Sequence, residues 1–168
     1  GMRAMLIFYM YFAIHQNGLG IDQTTAMSIM SVYGALIYMS SIPGAWIADR
    51  ITGTRGATLL GAVLIIIGHI CLSLPFALFG LFSSMFFIII GSGLMKPNIS
   101  NIVGRLYPEN DTRIDAGFVI FYMSVNLGAL ISPIILQHFV DIRNFHGGFL
   151  LAAIGMALGC LLYTSDAA

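Results

Sequence analysis

Residues 86–100 read FFIIIGSGLMKPNIS. The run before Lys96 is apolar or small, and the stretch from about Leu81 to Gly104 has the roughly 20 mostly apolar residues that a helix needs to cross a bilayer. A lysine inside such a span sets the question the fold must answer. At ~1.5 Å of rise per residue, Lys96 lies roughly 22 Å from one end of the span and roughly 12 Å from the other. A snorkelling side chain reaches only several ångströms. A charge held at the centre costs at least ~2.5 kcal/mol on insertion scales, so it needs a partner or a wet cavity. Two placements follow: near the inner interface on a tilted or shorter helix, or facing a central water-filled cavity. The depth favours the cavity.

The rest of the chain is of the same kind. Of its 168 residues 58% are hydrophobic and 8% charged, with a mean hydropathy of +0.93. A soluble domain carries about a quarter charged residues, so the composition places the chain in the membrane class. The formal net charge is zero, which gives nucleic acid no electrostatic footprint as a partner. Cys71 and Cys160 lie in apolar runs without CxxC spacing and read as small buried hydrophobes rather than a disulfide or metal pair. No A-x-A-like cleavage site follows Arg3, so a cleaved signal peptide is not expected.

Six apolar segments are predicted, all helical: about Gly1–Ile14, Thr25–Ala48, Ala57–Leu74 (ended by Pro75), Leu81–Gly104, Ala116–Phe139 and Gly148–Tyr163. The expectation is an all-α membrane bundle over residues 1–163, with the first and sixth helices incomplete. Residues 164–168 read as a polar tail foreign to the span, and the chain as a fragment of a larger membrane protein. Arg50, Arg55, Arg105 and Arg113 fall in two connectors, against Arg143 alone on the other side. The positive-inside rule makes those two connectors cytoplasmic.

The same depth estimate can be applied to the other helices. Tyr38 is about the middle residue of the second span and Asn126 of the fifth. Arg3 lies roughly 20 Å from the outer end of the first. Each has a plain structural reading: a core tyrosine, an interhelical hydrogen bond, the flank of a short span. Together Arg3, Tyr38, Lys96 and Asn126 suggest one polar site between helices. Two cations without a carboxylate at that depth suit an anionic group. Gly91, Gly93 and Pro97 around Lys96, and Gly128 and Pro133 after Asn126, allow close approach or bending there.

Nothing at depth forms a nucleophile–base pair or a metal set, so no catalytic residue, metal or enzyme activity is expected. His69 and Cys71 face different ways on a helix, and His69 reads as a packed or pore-facing histidine. His15, His138 and His146 lack mutual ligand spacing.

Two stretches are more specific. GAWIADRITGTRGA, Gly44 to Ala57, resembles the first signature of the proton-dependent oligopeptide transporter family, and is a variant of the major facilitator loop motif. FVIFYMSVNLGAL, Phe118 to Leu130, resembles that family's second signature. LMKPNIS and GMRAML resemble its fourth-helix lysine segment and first helix, in matching order and spacing. The loop motif is imperfect: Ala45 stands where a glycine is usual, and Gly53 comes one residue late.

The resemblance implies a twelve-helix protein of the major facilitator type, in two six-helix halves with peptide bound between them. This chain would be most of the N-terminal half. Arg3, Tyr38, Lys96 and Asn126 would fall on the peptide pocket, Lys96 on proton coupling as well, and Asp49 and Arg50 on the latch between halves. The family's E-x-x-E-R segment is expected upstream of Gly1. The implied activity is proton-coupled symport of di- and tripeptides by alternating access at the cell membrane. The implied partners are short peptides, protons, lipid and the C-terminal half, with the proton as coupling ion and no cofactor. A carrier of another small solute, of drug, nitrate or sugar type, is the alternative. A channel would conduct without the other half.

Overall fold

A computed structural model describes all residues except 1, 13, 15–17, 109–110, 140–143 and 166–168, and only the backbone at 2, 4 and 136–139. His15, Arg143, the His138 ring and most of the 164–168 tail therefore lie outside the described residues. The described part forms α1 (Met2–Tyr11), α2 (Gln23–Met39), α3 (Ser41–Ile47), a π-helical turn (Ala48–Thr52), α4 (Gly53–Ser73), α5 (Ala77–Arg105), α6 (Ile114–Phe139) and α7 (Phe145–Ser165). It contains no strand. Four helical stretches are long and apolar enough to cross a membrane: Gln23–Ser73, Ala77–Arg105, Ile114–Ile135 and Phe145–Ser165.

Local chemistry sets the boundaries. α2 begins two residues earlier than the apolar pattern predicts because the Asp22 carboxylate accepts hydrogen bonds from the backbone N–H groups of Thr24 (3.1 Å) and Thr25 (3.3 Å). α4 stops at Ser73, and Leu74 adopts extended backbone (φ −87°, ψ 147°), as the residue before Pro75 must. The second predicted span is interrupted at Ser40. Pro43 has no N–H, so it is accommodated where a new helix has just started. The Ser40 hydroxyl lies within bonding distance of the carbonyls of Ile37 and of Ile89 on α5, both at 2.9 Å.

The 51 residues from Gln23 to Ser73 would be about 76 Å long as one straight helix, far more than a bilayer needs. The chain instead reverses at Gly53, whose φ of 72° is natural only for glycine. Gly44, before the reversal, packs against the backbone of Gly93. Gly61, after it, packs against Gly91, and a Cβ at Gly61 would meet the Gly91 carbonyl oxygen at 2.5 Å. Two residues 17 apart in sequence thus sit at one level of α5. Small residues make this close packing of backbones possible, which is how helices associate where lipid provides no hydrophobic drive. Pro97 leaves the Gly93 carbonyl without its usual helical donor, at the level where Gly44 packs.

The main buried cluster joins α1, α2, α4, α5 and α7 through Met10, Ile37, Leu72, Leu81, Phe145 and Phe149. α6 is attached more loosely: it packs on α5 near Tyr107 and Phe118, and no residue of its apolar window is fully buried.

Candidate functional site

A cleft of about 240 Å³ opens between α1, α2, α4 and α5. α1 contributes Arg3, α2 Tyr33 and Tyr38, α4 His69, and α5 Ser92 and Lys96; aliphatic side chains close the rest. Arg3, Tyr38 and Lys96 are exposed at its mouth, whereas Tyr33 (5%), Ser92 (6%) and His69 (9%) form its floor.

Each cation stands against an aromatic ring. The Arg3 guanidinium carbon lies 5.9 Å from the Tyr33 ring centre, and Lys96 Nζ lies 5.2 Å from that of Tyr38. Tyr33 and Tyr38 are five residues apart, about 7.5 Å of helical rise, so the two cations occupy successive levels of the cleft. The ring faces attract both charges, by about 0.5–1 kcal/mol at exposed sites. That orients them without neutralising them. No carboxylate lines the cleft among the described residues, and Lys96 makes no ion pair there. Two uncompensated positive charges facing open space can hold an anion, and their separation along α2 lets one solute touch both.

Of the four residues singled out by depth, three come together: Arg3, Tyr38 and Lys96. Asn126 does not line this cleft. Its Nδ2 donates to the Tyr122 carbonyl of its own helix at 2.9 Å, on exposed α6. Sequence reasoning passed over Tyr33 and Ser92. Ser92 was within reach, one turn before Lys96 on the same helical face. Tyr33 was not, because five residues turn a helix by ~140° past a full turn and put it off the Tyr38 stripe.

At the end of the bundle that carries the π-helical turn, Asp49 and Arg50 are both exposed, and neither forms an ion pair with a described residue. Arg55 and Arg105 line one recess there with Thr52 and Leu106, so the two arginine-bearing connectors lie at the same end. Cys71 and Cys160 are half-buried free thiols, and no group of three metal-ligating residues occurs among the described residues.

A family model described as the POT family matches residues 56–165. The chain belongs to the POT family. It is 47% identical over 171 residues to the di-/tripeptide transporter of Lactobacillus helveticus, covering 96% of this chain and 34% of that protein. It is 48% identical over 165 residues to a protein of the same description from Lactococcus lactis subsp. lactis (strain IL1403), covering 97% and 33%. A crystal structure of a POT family transporter in complex with 5-aminolevulinic acid is 97% identical and superposes with a TM-score of 0.94, over 97% of this chain and 34% of that one. The chain therefore spans about a third of the length of the relatives it matches. It is a piece of all-helical, major facilitator type architecture from a multi-pass integral membrane protein.

Proposed function

We propose that this chain forms most of one half of a proton-coupled symporter that takes up di- and tripeptides across the cell membrane by alternating access. The observation that carries this reading is the cleft with Arg3 and Lys96 on successive tyrosine rings and no carboxylate beside them among the described residues. A short peptide offers what such a cleft lacks. Its terminal carboxylate answers the two cations, and its backbone answers the Tyr38 hydroxyl. We assign Asn126 a backbone contact on the resemblance alone. The names of the relatives, di-/tripeptide transporters, support the substrate class.

Coupling follows from competition for the cations. A carboxylate on a part of the protein outside this chain pairs with Lys96 or Arg3 in one state. Protonating it removes its charge and frees the cation for the peptide carboxylate. No covalent chemistry is required, so the protein is not an enzyme, and the proton is its only coupling ion. The two halves rock about the fixed site. Asp49 and Arg50, exposed and without an ion-pair partner among the described residues, latch one half to the other, Asp49 seeking an arginine or a helix N-terminus on the opposite half. Asp49→Asn should shift cysteine accessibility between the two faces of the membrane; unchanged accessibility and transport would make Asp49 a solvated loop residue.

The direct test is uptake of labelled dialanine into proteoliposomes holding the full-length transporter that carries this segment. A proton gradient, acid outside, should drive accumulation above equilibrium. Equal uptake with and without the gradient would contradict the coupling.

A further inference from the structure

The floor of the cleft carries a polar group that the peptide reading leaves idle. Ile65, His69 and Leu72 recur at i, i+4 and i+7 on α4, so one stripe of that helix faces the cleft. Its aliphatic members suit a packed wall; its histidine does not. His69 is 9% exposed, and its Nδ1 is buried without a hydrogen-bond partner among the described residues. Nδ1 is thus enclosed and out of a solute's reach; Nε2 is not among the buried unpartnered atoms, so it is the nitrogen that His69 offers to the cleft it lines.

The helix turn that carries His69 is closely packed. Beside His69, Gly68 brings α4 so close to α5 that a Cβ there would meet Ile88 Cγ1 at 2.6 Å and the Ser84 carbonyl oxygen at 3.0 Å. A neutral imidazole carries one N–H and one acceptor nitrogen. An orphaned buried N–H is rarer than an orphaned acceptor, so Nδ1 is the silent acceptor and Nε2 carries the hydrogen. The ring then has one donor to give. The peptide carboxylate goes to the cations at the mouth, whereas the buried floor, where His69 lies with Tyr33 and Ser92 among the aliphatic Leu6, Ile37 and Ile88, is left for a side chain.

We propose that His69 is a specificity-determining residue. Its imidazole donates to a hydroxyl oxygen on the side chain of the bound solute, so the floor favours a hydroxyl-bearing side chain over its apolar isostere. This rests on the peptide-carrier reading. Threonine and valine share a shape and differ by the hydroxyl, which makes them the matched probes. A binding site that hydrogen-bonds a substrate hydroxyl discriminates against the analogue lacking it, because the site's own group is left unpaired.

The experiment measures binding of Ala-Thr against Ala-Val, and of Thr-Ala against Val-Ala, to the full-length transporter. In the wild type one of the two pairs should favour the hydroxyl by about tenfold. His69→Leu should bring that ratio to about one, and His69→Gln, which keeps an amide N–H near the Nε2 position, should restore most of it. A ratio near one for both pairs in the wild type overturns the proposal, and so does a wild-type ratio that survives His69→Leu. Where His69→Leu does not fold, the wild-type ratio and His69→Gln decide. Failure of the wild type to bind dialanine would instead sink the peptide reading, and this proposal with it.

Discussion

Lys96 Nζ lies 5.2 Å from the centre of the Tyr38 ring, which joins α5 to α2 across the mouth of the cleft. The exposed tyrosine, 67% accessible, can thereby do two things: its ring steers the ammonium, and its hydroxyl, with no hydrogen bond to a described residue, can meet a solute. Substitutions separate the two. Tyr38→Phe keeps the ring and should weaken dipeptide binding about fivefold, the worth of one hydrogen bond of about 1 kcal/mol. Tyr38→Leu loses the ring as well and should cost several-fold more. Calorimetric affinities check both. A phenylalanine variant with unchanged affinity would mean that the hydroxyl touches no peptide.

The packing of α4 on α5 makes a sharper stability prediction. A Cβ at Gly61 would lie 2.5 Å from the Gly91 carbonyl oxygen and 2.8 Å from the Met95 backbone nitrogen. Both are backbone atoms and cannot rotate away, so Gly61→Ala should destabilise the protein by about 1–3 kcal/mol. Gly34, on α2, has nothing within 4 Å of such a Cβ. There alanine should be neutral or gain up to about 1 kcal/mol from helix propensity. Thermal unfolding in detergent should therefore lower Tm for the first and not for the second.

Outside the span region, Asp111 and Arg113 form an ion pair at 2.8 Å in the connector between α5 and α6. Hydrogen bonds from the Arg113 side chain and backbone hold the Asp111 carboxyl below its ordinary value of 3.8. A depressed pKa means that the pair's contribution is complete above the ordinary value and is lost as pH falls through the lower, folded one. Carbon-13 titration of the Asp111 carboxyl should give a midpoint below 3.8, and Arg113→Ala should return it to the ordinary range. A midpoint unchanged by that substitution would show that the pair does not form in solution.

Much of this was legible in one dimension. The length of the apolar runs marks the spans, Pro75 marks the end of α4, and the depth of Lys96 points to a polar cleft. The rest depends on contacts between residues distant in sequence. The break at Ser40 involves the Ile89 carbonyl 49 residues away, though Pro43 was a local sign of it. The pairing of Gly44 and Gly61 at one level of α5 needs the reversal at Gly53, which no periodicity reports. Tyr33 and Tyr38 lie off one another's helical stripe and meet in one cleft only because α1 and α5 approach α2 from different sides. Asn126 shows the converse limit: equal depth along its own helix does not place a side chain in a cleft that its helix does not line.

The central claim is that the charge at Lys96 couples proton movement to peptide movement. Lys96→Gln keeps polarity and most of the length while removing the charge. In the full-length transporter in proteoliposomes it should abolish dipeptide accumulation driven by an imposed proton gradient, and leave part of the gradient-independent peptide exchange, because Arg3 and Tyr38 still line the cleft. Lys96→Arg should not restore accumulation fully, since a guanidinium does not give up its proton within a cycle. Gradient-driven accumulation of dipeptide by Lys96→Gln at the wild-type level would contradict the account.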